Sequence, residues 1–346
     1  MIRTSHHVYQ GNCYDVISKL LKNPEEKGRY RLIVTSPPYY CHRHYGHDRR
    51  EIGQEETTEI FLEKLDKIFT KCRDLLAEDG SLWIIIGDTR CNHRKLMIPH
   101  KLALKLIDNG YIFREDVIWY KKNNISSSSK DSLSQAYEVV LFFSKNEKCF
   151  TDMNAIRVMG NEAREGRNKI PLSHMIQKKP LAPDRDRIRK IIEVIHKAKP
   201  DTPFEELPTT SEIARAYGYD PEKYCPTCYR KFKRHATRKR TGDHIHYPIF
   251  AVCNPYGKNP GNVWEVATKA HHGNEHFAIY PEDLIVRIVN FCTQRGDWVL
   301  DPFTGRGTTG IVCTRLQRNF TGIDLYAVNV KKTEKNLVRV LVDKTT

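Results

Sequence analysis

The sequence predicts an α/β fold: a mostly parallel sheet covered by helices on both faces, built from the two ends of the chain and interrupted by an inserted, mainly helical basic module. Two observations predict it. Short apolar runs alternate with amphipathic helical stretches near both termini, the pattern of strands buried on both faces. That alternation stops in the middle of the chain, where proline punctuation (Pro180, Pro183, Pro200, Pro203, Pro208) and positive charge take over.

The elements follow in order. Arg31-Leu-Ile-Val-Thr-Ser36 is a short β run stopped by Pro37-Pro38. Residues 60–76 carry apolar side chains at helical spacing, and 81–87 (Ser-Leu-Trp-Ile-Ile-Ile-Gly) form another buried strand. A second helix over 97–109 closes at Gly110, and 112–119 and 137–143 read as further strands. Residues 126–129, four serines, read as a loop. At the far end, 298–301 is a strand, 308–316 a helix and 320–324 a strand. The expected divisions are 1–150 and 258–346, two parts of one domain, with the module at 151–257 between them.

Charge sharpens the division. The formal net charge is +15 over 346 residues. Residues 151–260 contribute 22 Lys and Arg against 13 Asp and Glu, and so hold more than half of that excess. Within them, Tyr229 to Arg240 has seven cations (Arg230, Lys231, Lys233, Arg234, Arg238, Lys239, Arg240) and no acid. A run of charge is commonly a solvated face, but seven like charges without counterions repel one another, and a polyanion relieves that cost. No apolar run approaches the roughly 18 residues of a membrane span, and no signal-peptide core opens the chain. Ten scattered cysteines in a chain of this length read as reduced, which implies a cytoplasmic protein.

Two motifs stand at strand ends. Asp301-Pro-Phe-Thr-Gly-Arg-Gly-Thr-Thr-Gly310 follows a strand and opens a helix, and Gly305, Gly307 and Gly310 satisfy G-x-G-x-x-G. By itself that spacing equally suits a nicotinamide enzyme, or a tight turn with a capping Asp. No Lys follows the glycines, so a phosphate-cradling Walker loop is excluded. Asp324 ends the next strand, where a carboxylate can accept from ribose hydroxyls. The second motif is Thr35-Ser-Pro-Pro-Tyr39. Two prolines remove two N–H donors and leave a rigid turn of carbonyl acceptors beside a hydroxyl and an aromatic face. Such a turn suits a planar amino group on a ring; a strand-terminating Pro-Pro with a packing tyrosine is the plainer reading.

The order of these motifs resembles the β class of S-adenosylmethionine-dependent DNA amino-methyltransferases, in which [Ser/Asp/Asn]-Pro-Pro-Tyr precedes the target-recognition region and Asp-Pro-Phe-x-Gly-x-Gly-Thr-Thr comes last. The resemblance extends over most of 1–150 and 258–346 and includes Gly80-Ser-Leu-Trp-Ile-Ile-Ile-Gly-Asp-Thr89, Tyr137-Glu-Val-Val-Leu-Phe-Phe-Ser-Lys145, Lys258-Asn-Pro-Gly-Asn-Val-Trp264 and His276-Phe-Ala-Ile-Tyr-Pro281. It implies a doubly wound, Rossmann-like methyltransferase sheet with circularly permuted motif order. It implies Ser36, Pro37, Pro38 and Tyr39 as the catalytic turn, with Tyr39, helped by Tyr40, stacking on a flipped base. It implies S-adenosylmethionine as cofactor, held by Asp301, Phe303, Gly305, Gly307, Thr308, Thr309 and Asp324. Asn12 stands where many members have Asp, which leaves the contact from that position open. The leading serine is similar to cytosine-N4 members; adenine-N6 members usually carry Asp there. Double-stranded DNA is the implied partner, in a prokaryotic cell, with a restriction endonuclease acting on the same site as a companion. The rival readings are an amino-methyltransferase acting on adenine-N6, RNA or a glutamine amide, and a non-enzymatic DNA-binding regulator.

Inside the basic module, Thr210–Asp220 reads as a capped short helix with a glycine turn, and 221–235 as a second, basic helix. Ala214 and Gly218 occupy the small-residue and turn positions of a helix-turn-helix, the preferred reading. Cys225-Pro-Thr-Cys228, with His235, His244, His246 or Cys253, admits a zinc reading, but the spacing matches no standard finger. Cys41-His-Arg-His-Tyr-Gly-His47 reads as a loop that orders over DNA rather than as a metal cage.

Overall fold

The computed structural model describes residues 4–42, 48–123, 133–158, 259–268 and 280–342. The chain divides into two compact units, Met1–Ala155 with Gly261–Thr346, and Ile156–Pro260. The described fold is that of the first unit. The expected helix-turn-helix, the Cys225–Cys228 pair, the cations from Arg230 to Arg240, the serine loop and residues 43–47 lie outside the described residues.

In chain order the unit runs β1 (His6–Gln10), α1 (Cys13–Leu20), β2 (Tyr30–Thr35), α2 (Thr58–Leu75), β3 (Leu76–Ile86), a small hairpin β4 (Arg90–Cys91) and β5 (Arg94–Lys95), α3 (Ile98–Asp108), β6 (Ile112–Tyr120) and β7 (Tyr137–Ser144). After the interruption come β8 (Val263–Glu265), α4 (Glu282–Cys292), β9 (Trp298–Asp301), α5 (Thr308–Arg315), β10 (Asn319–Asp324) and α6 (Ala327–Val342). Eight strands form one sheet in the order β1-β10-β9-β2-β3-β7-β6-β8. Every neighbouring pair is parallel except those of β7, which runs against both β3 and β6. The sheet is therefore the expected mostly parallel, doubly wound one.

Alternation along the strands decides which layer each side chain joins. Ile33, Leu82, Ile84, Ile86, Leu141, Phe143, Leu300 and Ile323 share a core with α1, α2 and α3. The intervening Trp83 stacks on Phe142, with ring centroids 4.3 Å apart, and both meet Phe291 of α4 on the opposite face. Leu32, Ile33 and Val34 of β2 have no exposed surface. Burial of each contributes about 1.5–3 kcal/mol, enough to hold a central strand without help from its ends. No helix among the described residues is long and apolar enough to cross a membrane.

Differences from the sequence expectation are local. The strand expected at 81–87 starts at Leu76, directly after α2, because Gly80 lets the chain pass close to Tyr30 and a register shift between Tyr30 and Leu32 absorbs the extra residues. The edge strand β1 was not anticipated: His-His-Val-Tyr-Gln is polar and largely exposed, so it has no hydrophobic alternation to read.

Candidate active site

The chain leaves β2 toward β3 on one side and leaves β9 toward β10 on the other. Strand order thus reverses between β2 and β9, and a crevice opens at their carboxyl ends. Thr35, the last residue of β2, donates its hydroxyl to Asp301 Oδ1 at 2.6 Å, at the end of β9. Asp301 is wholly buried and accepts three more hydrogen bonds: from Phe303 N (3.1 Å), Thr309 Oγ1 (2.7 Å) and Tyr280 Oη (2.7 Å). Burial pushes its carboxyl above the usual range, and the hydroxyl donors of Thr309, Thr35 and Tyr280 hold part of that rise down. One buried carboxylate therefore ties the two motifs together, 266 residues apart in sequence.

The crevice is lined by the turn Ser36, Pro37, Pro38 and Tyr39, by Phe303, Gly305 and Asp324 of the glycine motif and following strand, and by Gly11, Asn12 and Cys13. Eight of the residues singled out in the sequence thus meet around one pocket. Asp301, Gly307, Thr308 and Thr309 do not line it. They sit beneath, where Asp301 and Thr309 are fully buried and organise the loop. Gly307 has φ +84°, and a Cβ there would lie 2.6 Å from Thr333 Cγ2, so only glycine lets the turn enter α5 against α6. Gly305, by contrast, faces open space on the pocket wall, leaving its backbone approachable.

Asp324 accepts from Gly305 N (3.0 Å), Tyr326 N (2.9 Å) and Asn329 Nδ2 (3.0 Å), and burial raises its carboxyl also. Asn12 caps α1 by accepting from Tyr14 N at 3.0 Å. An Asp would serve that cap equally well.

On the opposite wall, the Tyr39 ring packs so closely on Gly87 that a Cβ at residue 87 would stand 2.8 Å from Tyr39 Cε2. The Tyr39 hydroxyl donates to Glu138 Oε2 at 2.5 Å, and Ser36 Oγ lies 3.5 Å from it. Lys121 Nζ pairs with the other Glu138 oxygen. Tyr40 is buried against Phe61, behind the turn.

Sequence reasoning missed Arg50, Glu51, Ile52, Tyr326 and Asn329 on the wall. Glu51 is buried and accepts from Tyr326 Oη at 3.1 Å; burial and this carboxylate push the Tyr326 phenol up to about 12. No local pattern in Asp48-Arg-Arg-Glu51 announced this wall; the burial of Glu51 is seen only in the fold. Cys13 also lines the pocket, but burial pushes its thiol up to about 12, so it stays a neutral packing group.

Chemically, the crevice offers a rigid turn of acceptors on one side and glycine backbone with a carboxylate on the other. The fold of the chain recurs in solved proteins: the PvuII DNA methyltransferase (cytosine-N4-specific), at TM-score 0.56 and 15% identity over 98% of this chain and 93% of that one, and TTHA0409 of Thermus thermophilus, complexed with S-adenosyl-L-methionine, at TM-score 0.52 and 18% identity over 97% and 94%. In sequence the chain is 26% identical to the Type II methyltransferase M.SfiI of Streptomyces fimbriatus, covering 92% of this chain and 87% of that one. It is also 26% identical to the Type II methyltransferase M.Cfr9I of Citrobacter freundii, covering 96% and 90%. The family model for DNA methylases matches residues 30–335, from the first residue of β2 to within α6, and so embraces both strand-end motifs; the chain belongs to the DNA methylase family.

Proposed function

We propose that the protein transfers a methyl group from S-adenosylmethionine to the exocyclic N4 of a cytosine flipped out of double-stranded DNA, as the modification enzyme of a Type II restriction–modification system. The observation that carries this reading is the single crevice in which Ser36–Tyr39 faces Phe303, Gly305 and Asp324. The names of M.SfiI, M.Cfr9I and the PvuII enzyme support the reaction and its setting. The serine that leads the turn supports cytosine over adenine.

The residues present fit the cofactor. Gly305 turns an open backbone face to the pocket, Phe303 offers an apolar surface, and Asp324 stands at the strand end where ribose hydroxyls can donate to a carboxylate. Asn12 lies on the same wall. Asp301, Gly307, Thr308 and Thr309 shape that wall from beneath. When bound, S-adenosylmethionine supplies an already activated methyl group, so the protein's task is to prepare the acceptor.

That acceptor is a weak nucleophile, because its lone pair is delocalised into the ring. The Ser36 oxygen and the Pro37 carbonyl accept the two amino hydrogens and draw the nitrogen toward tetrahedral geometry, while Tyr39 stacks on the flipped ring. The cations Arg230, Lys231, Lys233, Arg234, Arg238, Lys239 and Arg240 of the 151–257 module bring the phosphate backbone, and a restriction endonuclease reading the same site is the expected companion.

Nucleoside analysis of DNA methylated by the purified protein tests the reading. N4-methyldeoxycytidine is expected; N6-methyldeoxyadenosine would overturn the base assignment while leaving the reaction standing. Gly87→Ala tests the turn itself. The added methyl displaces a ring already tied through its hydroxyl, so turnover is expected to fall by about tenfold or more while the melting temperature moves little. A normal rate in that variant would show that Tyr39 need not hold its place.

A further inference from the structure

Glu138 and Lys121 belong to neither motif, yet their interactions end on the catalytic turn. β7 is the reversed strand, so its first residues lie at the carboxyl ends of its neighbours: Glu138 pairs in register with Trp119 of β6, and Val139 with Ile86 of β3. Lys121 follows β6 immediately. The reversal thus delivers an acid to the rim of the crevice, where a parallel strand would deliver its last residues.

We propose that Glu138, held by Lys121, is a positioning residue that sets the direction of a hydrogen-bond chain through Tyr39 to Ser36, turning the Ser36 oxygen toward the pocket as an acceptor. The inference rests on the reading of Ser36–Tyr39 as the turn that takes the amino group, and deepens it. The argument is one of donors and acceptors. A carboxylate only accepts, and Lys121 occupies Oε1, which leaves Oε2 for Tyr39. The Tyr39 hydroxyl has one proton, and at 2.5 Å it is committed to Glu138. Its oxygen can then only accept from Ser36 Oγ, 3.5 Å away. Ser36 also has one proton, which this contact draws away from the pocket, so its lone pairs remain for the hydrogens of an exocyclic amine. Without the carboxylate, Tyr39 is free to donate to Ser36. The serine proton then turns into the pocket and opposes the amine. The pair is largely shielded, with side chains 13% exposed for Glu138 and 24% for Lys121, so water does not easily replace it.

A double-mutant cycle tests this. Glu138→Gln, Tyr39→Phe and the double variant are compared by single-turnover methyl transfer to duplex DNA, alongside equilibrium binding of S-adenosylmethionine. Each single variant is expected to slow the reaction about tenfold with cofactor affinity unchanged, and the double variant to be no slower than the slower single. Lys121→Met is expected to act through the same chain, and Lys121→Arg to retain most of the rate. Lys121→Met replaces Glu138→Gln in the cycle should the glutamine variant fail to fold. Multiplicative losses, or a normal rate in Glu138→Gln or Tyr39→Phe, overturn the inference. If Ser36→Ala too keeps the normal rate, the reading of the turn fails; if Ser36→Ala is slow while Glu138→Gln is normal, only the role of Glu138 fails.

Discussion

Ser36→Ala is expected to slow methyl transfer by about 100-fold or more while leaving S-adenosylmethionine affinity unchanged. In the proposed reaction the hydroxyl is one of two acceptors for the amino group, and loss of one preorganised partner at a reacting centre typically costs about 10²–10³ in rate, roughly 2.7–4 kcal/mol of transition-state stabilisation. Nothing else should change much. Ser36 is half-buried at the pocket rim, and its hydroxyl meets the fold through the long contact to Tyr39. Phe303, Gly305 and Asp324 form the other wall, on other strands. Folding stability should therefore stay within about 0.5 kcal/mol of wild type. Single-turnover rates with labelled cofactor, equilibrium cofactor binding and a melting curve separate these effects. A cofactor affinity that falls with the rate would place Ser36 on the wrong wall.

The two walls were unequally legible in the sequence. Pro37-Pro38 and the glycine run announce themselves because their backbones can do few things, and the strands leading to them are nearly continuous apolar runs. What joins them was less visible. Asp301 suggested a cofactor ligand, but its four internal hydrogen bonds make it the brace between β2 and β9. Its partners Thr35 and Tyr280 lie far away in the chain, beyond the reach of any local pattern. Glu138 was equally hidden, 99 residues from the tyrosine it holds. Its position depends on β7 running backward, and a hydrophobic run such as Val139 to Phe143 declares a strand without declaring its direction. The loop carrying Arg50 to Ile52 has no periodicity at all; only its place beside the turn gives it meaning.

The brace itself carries the second large effect. Asp301→Ala is expected to destabilise the protein by about 3–5 kcal/mol, because the hydroxyls of Thr35, Thr309 and Tyr280 and the Phe303 N–H lose their acceptor in a buried place, at roughly 1–3 kcal/mol each. The total falls short of the sum because Tyr280 and Thr309 keep each other, 2.7 Å apart. Asp301→Asn should cost less, since hydroxyls can reverse and accept from the amide, and the pH dependence tells the two causes apart. Burial raises the Asp301 carboxyl in the folded state, so its contribution to stability is complete in acid and is lost as the pH climbs through and above the ordinary carboxylate range. Asp324 shares that direction, so the quantity to measure is the difference between wild type and Asp301→Asn. Over that range the asparagine variant should gain on the wild type as the pH rises; a difference that does not change with pH would mean that Asp301 titrates alike in the folded and unfolded chain. Even where Asp301→Ala remains folded, methyl transfer should be slow. Thr35 precedes Ser36, and Asp301 precedes Pro302 and Phe303, so the bond between the first pair sets the distance between the two walls on which the reaction depends.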